Sequence, residues 1–101
     1  METMFFEYPA TKELANKAHV GVVGSGDLEV LVIPSDEPRT KVEVRTGMTG
    51  FDETWGKVLG RFFNQYAVQA NIQVNDFGAT PGVVSLRLAQ ALEVSGKYER
   101  A

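Results

Sequence analysis

The sequence predicts an α+β domain of two layers: a mostly antiparallel β-sheet with one main amphipathic helix packed on one face. Three features of the chain point there. Short apolar runs are separated by Gly-rich turn residues, one central segment alternates apolar and charged residues with period two, and the stretch after it spaces its apolar residues for a helix.

Taken in order, Met4, Phe5, Phe6 and Tyr8 make the N-terminal segment apolar enough to serve as an added edge strand or as a docking surface. Val20-Gly-Val-Val and Leu28-Glu-Val-Leu-Val-Ile flank Gly24-Ser-Gly-Asp27, which is turn chemistry between two strands and predicts a β-hairpin. The stretch from Pro34 to Thr40 reads as a connection within the domain. Lys41-Val-Glu-Val-Arg-Thr-Gly-Met48 has the alternation of a half-buried strand. From Phe51 onward, Trp55, Val58, Leu59, Phe62, Phe63 and Tyr66 form one continuous helical stripe, which Asp52 or Thr49 is placed to cap. Trp55, Phe62 and Phe63 are expected to be core rather than a stacking platform for a base or cofactor, since that spacing is what a buried helix face requires.

Ala70 to Asn75 alternates again, and the segment from Asn75 to Gly82 is dense in turn residues. Beyond it, Val83 to Val94 fits both periods: Val84, Leu88, Ala91 and Leu92 suit a helix, while Val84, Leu86 and Leu88 suit a strand. The strand is preferred, because it completes a second hairpin with Ala70 to Asn75.

At 101 residues, 44% hydrophobic and 23% charged, the chain fits one domain spanning residues 1–101. A domain of this size buries roughly 60 to 68% of its unfolded surface, so function is expected on the outside rather than in a deep private site. A net charge of −3 with scattered Lys and Arg supplies no basic stripe for phosphates and excludes nucleic acid as a partner. The N-terminal residues have neither the basic flank nor the apolar run of a signal or membrane span, so the cytoplasm is the expected location. There is no Cys, hence no disulfide and no thiolate metal site, and any thioester chemistry needs an imported sulfur.

His19 is the only histidine, so a metal site or a triad with Ser25 and Asp27 would rest on it alone, and a hydrogen-bonded structural role is expected instead. Gly24-Ser-Gly-Asp-Leu-Glu29 starts like a dinucleotide fingerprint. Its third glycine is replaced by Glu29 and a strand follows where a helix is needed, so no pyrophosphate site is expected. Asp76-Phe-Gly78 copies a kinase tripeptide without its surroundings and reads as a turn. Gly-Ser-Gly at a hairpin tip is ordinary turn chemistry. It is also what a modification site needs, because the missing side chains at Gly24 and Gly26 leave the Ser25 hydroxyl accessible to a modifying enzyme.

Two blocks, Val20-Gly-Val-Val-Gly-Ser-Gly-Asp-Leu-Glu-Val-Leu31 and Asn75-Asp-Phe-Gly-Ala-Thr-Pro-Gly82, together with the Met-Glu-Thr start, the central helix and Val-Ser-Leu-Arg-Leu, resemble the malonate decarboxylase acyl carrier (delta subunit) family. A more distant likeness is to the citrate lyase acyl carriers. The resemblance implies that Ser25 carries a phosphoribosyl-dephospho-CoA group through a phosphodiester bond, with Gly24 and Gly26 keeping it accessible. It implies a non-catalytic carrier whose partners are an acyl transferase, carboxylase-like decarboxylase subunits and the transferase that attaches the group. Ordinary acyl carriers resemble four-helix bundles with an Asp-Ser-Leu motif at a helix start. Val84-Ser-Leu86 lacks the Asp, so Ser85 is expected to be structural. Under the resemblance, residues 75–82 either contact the arm or a partner or simply form a demanding loop, and Asp27 either orients the modifying transferase or completes the turn. An unmodified adaptor subunit and a citrate-lyase-type carrier are the alternatives.

Overall fold

The computed structural model describes residues 1–96. Its elements are β1 (Glu2–Pro9), β2 (Lys12–Glu13), β3 (Ala18–Gly21), β4 (Leu28–Pro34), β5 (Arg39–Thr46), α1 (Asp52–Gln65), β6 (Val68–Asp76) and α2 (Pro81–Gly96). Five strands lie side by side in the order β1-β5-β6-β4-β3, and β2 pairs with the start of β6. The β1/β5, β3/β4 and β4/β6 pairs are antiparallel. The β5/β6 pair is parallel, as a strand–helix–strand crossover through α1 demands, and so is the short β2/β6 pair. The sheet is thus mixed, mostly antiparallel and part of an α+β fold.

Period-two alternation decides which face is covered. Leu28, Val30 and Val32 of β4, Val42 and Val44 of β5, and Ala70, Ile72 and Val74 of β6 are buried on one face. Trp55, Leu59, Phe62 and Phe63 of α1 close over it, together with Val84, Leu88, Ala91 and Leu92 of α2. Complete burial of Leu28, Leu59 and Leu88 contributes roughly 2 kcal/mol each from apolar area alone. The opposite face is mostly polar, with Phe5, Leu31 and Ile33 as apolar members, and His19, Glu29 and Asn75 are hydrogen-bonded across β3, β4 and β6.

The N-terminal segment is an edge strand on β5, with Met4 buried and Phe6 and Tyr8 packed against the core, while Phe5 points outward. Tyr8 stacks on Phe63 with ring centroids 5.5 Å apart, tying β1 to α1. α1 starts without a side-chain cap, so neither Asp52 nor Thr49 closes it. Asp52 and Glu53 occupy the first turn instead, where they complement the positive end of the helix.

Residues 83–94 are the main correction. They form a helix, α2, rather than a strand, so they make no hairpin with β6, and among the described residues two helices cover the sheet instead of one. The reason is local. Thr80 accepts a hydrogen bond from the Val83 N–H on its hydroxyl and from the Val84 N–H on its carbonyl, and Pro81 occupies the first helical position, where its missing N–H costs nothing. Leu86, which a strand would bury beside Val84 and Leu88, is exposed, while Ala91, Leu92 and Ser95 continue the helical stripe inward. The central place this leaves beside β4 and β5 belongs to β6.

Candidate functional site

Ser25 sits at the tip of the predicted β3–β4 hairpin, and it is exposed. The loop, residues 22–27, is shaped by two glycines of different character. Gly21, the last residue of β3, has φ +89°, and a Cβ there would lie 1.9 Å from the Leu28 carbonyl oxygen, so only glycine fits. Gly26 has φ +79° at the third position of a turn in which the Asp27 N–H donates to the Gly24 carbonyl at 3.2 Å; a type II turn asks for glycine there. Gly24 needs no such conformation. A Cβ on it would meet only a Val22 methyl at 3.8 Å, and one on Gly26 would meet nothing within 4 Å, so space is open around the serine.

The end of the loop is held. The Gly26 N–H donates to the Phe77 carbonyl at 2.8 Å and the Phe77 N–H donates to the Asp27 carbonyl at 2.9 Å, joining the hairpin tip to the loop after β6. That second loop is itself set by Asp76, whose carboxylate accepts from the Ala79 N–H and the Thr46 hydroxyl, both at 2.9 Å. Gly78 at φ +93° completes its turn. Asp27 accepts from its neighbour's N–H, Leu28, at 2.7 Å and takes both Nε (3.1 Å) and Nη2 (2.7 Å) of Arg87 on α2. The Arg87 guanidinium and the Leu28 N–H hold the Asp27 carboxyl below its ordinary range, and Asp27 in turn raises Arg87. Residues 75–82 and Asp27 therefore both fix the frame around Ser25.

His19 and Asp27 each have partners other than Ser25. His19 is committed to Glu29, whose carboxylate it meets at 2.7 Å and keeps below the usual range, and Asp27 is committed to Arg87. Ser85 lies half-buried on α2, beside Arg61 and Tyr66 in the groove between the two helices. Among the described residues, no group of three His, Asp or Glu side chains is placed to hold a metal ion, and no helix is long and apolar enough to cross a membrane.

A phosphodiester on Ser25 fits these surroundings. It would sit beside Asp27, and the bidentate Arg87 offsets the carboxylate charge that would otherwise repel it. Sequence reasoning singled out Ser25, Gly24 and Gly26 as candidates and did not single out Gly21 or Arg87, which shape and brace the loop that holds them. A glycine closing a strand is a signal of close backbone approach. No signal pairs Asp27 with a residue 60 positions away.

Comparison with known proteins agrees with the fold and extends it. The family model described as Malonate decarboxylase delta subunit (MdcD) matches residues 15–95. The malonate decarboxylase acyl carrier protein of Stutzerimonas stutzeri is 47% identical over 97 residues, covering 95% of this chain and 98% of that relative. The Azotobacter vinelandii protein of the same name is 49% identical over 94 residues, covering 92% and 95%. A chain in the crystal structure of a Pseudomonas malonate decarboxylase hetero-tetramer in complex with malonate superposes with a TM-score of 0.88 at 43% identity, covering 93% of this chain and 98% of that one. With most of its length matched in sequence and in fold, the chain belongs to the malonate decarboxylase delta subunit family, the acyl carriers of that system.

Proposed function

We propose that this chain is the acyl carrier subunit of a malonate decarboxylase, with a phosphoribosyl-dephospho-CoA group joined to Ser25 through a phosphodiester. The observation that carries this reading is the contrast at one loop: Ser25 stands exposed while the two residues that follow it, Gly26 and Asp27, are locked to Phe77 and Arg87. When bound, the group supplies a terminal thiol on which acetyl is exchanged for malonyl with release of acetate, and from which CO2 is then lost with acetyl retained.

The chain's own residues do three things. Gly24 and Gly26 keep side chains away from the attachment point, the Asp27–Arg87 pair and the Phe77 hydrogen bonds hold the loop in one orientation, and Val22 and Val23, both more than half exposed, offer apolar contact beside the serine for a partner. A tether on a fixed base keeps the acyl group at high local concentration near successive active sites. The acids, bases and oxyanion donors belong to the partners: an acyl transferase, carboxylase-like decarboxylase subunits and the enzyme that attaches the group. The carrier itself is non-catalytic and works in the cytoplasm.

The test is transfer of label. With the transferase and decarboxylase subunits present, malonate labelled at its central carbon leaves label on the modified chain, releasable by thioester cleavage, and none on Ser25→Ala. Turnover of malonate at full rate with Ser25→Ala in place of the parent would instead make the chain a structural adaptor.

A further inference from the structure

An apolar cleft of about 330 Å³ opens between the loop after β5, the start of α1 and the loop after β6. That volume is at the lower end of roughly 300–1,000 Å³ for small-molecule sites. Met48, Phe51, Trp55 and Val84 form apolar walls, and Thr54 and Asp76 add polar atoms. Met48 and Phe51 are about half exposed at its rim, whereas Trp55 is 6% exposed. We propose that this cleft binds a neutral acyl thioester, the acyl end of the arm on Ser25, and turns away one that bears a carboxylate. This rests on the carrier reading given above.

Position comes first. Gly78 lines the cleft, and its Cβ direction ends 3.9 Å from the Gly26 N–H nitrogen. Ser25 is the preceding residue, with its Cα about 3.8 Å from that of Gly26. The loop that anchors the hairpin tip is thus also a wall of the cleft, and a tether rooted at Ser25 starts beside that loop.

Charge decides the ligand. Asp76 is 7% exposed, and both donors to its carboxylate, the Ala79 N–H and the Thr46 hydroxyl, are neutral. Neither donor is a cation, so nothing bonded to Asp76 offsets a second carboxylate brought alongside it. A second carboxylate brought into these apolar surroundings meets repulsion and loses its hydration. An acetyl thioester has no charge to lose, and its methyl group suits the Trp55 and Val84 walls. A malonyl thioester stays outside, available to the decarboxylase. The docked form is also kept from hydrolysis, in which water oxygen adds to the carbonyl carbon and the C–S bond breaks to give acetate and thiol.

Trp55 is the only tryptophan, so its emission reports on the cleft alone. The unmodified full chain is titrated with S-acetyl-pantetheine and, separately, S-malonyl-pantetheine. Tethering gives an effective concentration on the order of millimolar, so affinities of the free probes in that range are sufficient. The expected result is a saturable change with the acetyl probe, an apparent Kd at least tenfold weaker for the malonyl probe, and loss of the acetyl response in Ala79→Leu, which fills the cleft mouth. Equal affinity for the two probes, or no saturable response to the acetyl probe, overturns the proposal. That comparison uses the parent chain, so it stands even if Ala79→Leu fails to fold. It also needs no arm: a chain that acquires no group on Ser25 defeats the carrier reading whatever the titration shows, and a modified chain with a silent Trp55 defeats only the cleft.

Discussion

The base and the tip of the β3–β4 hairpin are built on opposite principles. The base is engaged at several points: Gly21 lies against the Leu28 carbonyl, Asp27 is held by Arg87, and Gly26 and Asp27 bond to Phe77. At the tip Ser25 stands in the open, with space where the Cβ atoms of its neighbouring glycines would be. A carrier needs this division. A rigid base lets partners recognise one surface, and an open hydroxyl lets a bulky group be attached without unfolding anything.

Substitutions on the two sides should therefore separate stability from modification. Gly21→Ala has the largest expected effect on stability: a Cβ at 1.9 Å from a backbone oxygen, in a left-handed conformation, costs roughly 3 kcal/mol or more, read as a lowered denaturant midpoint. Next is Thr80→Ala, which removes the cap of α2 and should cost about 1 kcal/mol in the same assay.

A smaller effect concerns acid. Because the folded-state carboxyls of Asp27 and Glu29 lie below their ordinary values of 3.8 and 4.5, the unfolded chain binds more protons as pH falls through that range. Their contribution is complete above about pH 4.5 and is lost as pH drops through the lowered folded values. Arg87→Gln should move the Asp27 carboxyl back upward in an NMR titration and flatten the acid limb of the stability curve. The smallest stability changes belong to the tip. Ser25→Ala and Gly24→Ala should each stay within about 0.5 kcal/mol of the parent, the first abolishing modification and the second slowing it.

What could be read from the sequence divides along the same physical lines. The alternation in β5 and the stripe from Trp55 to Phe63 are local patterns, and both elements formed there, although β5 runs Arg39–Thr46, two residues earlier than the expected Lys41–Met48. The hairpin around Ser25 was equally local, marked by its glycines. Strand order was not, since the alternation of residues 70–75 says that one face is buried without saying that β6 lies between β5 and β4. In residues 83–94 Leu86 satisfied the wrong period. The deciding signal was Thr80-Pro81, a cap followed by a residue suited to the first helical turn. The site was half legible in the same way: Ser25, Gly24 and Gly26 are contiguous, whereas Arg87 reaches Asp27 only because α2 is a helix laid over β3 and β4.

The most direct test of the account is the intact mass of the chain after co-expression with the prosthetic-group transferase, beside Ser25→Ala treated identically. The account predicts a gain equal to the phosphoribosyl-dephospho-CoA group in the parent and none in the variant, with both melting alike. No gain in the parent, from a transferase shown to be active on another acceptor, or the same gain in Ser25→Ala, would contradict it.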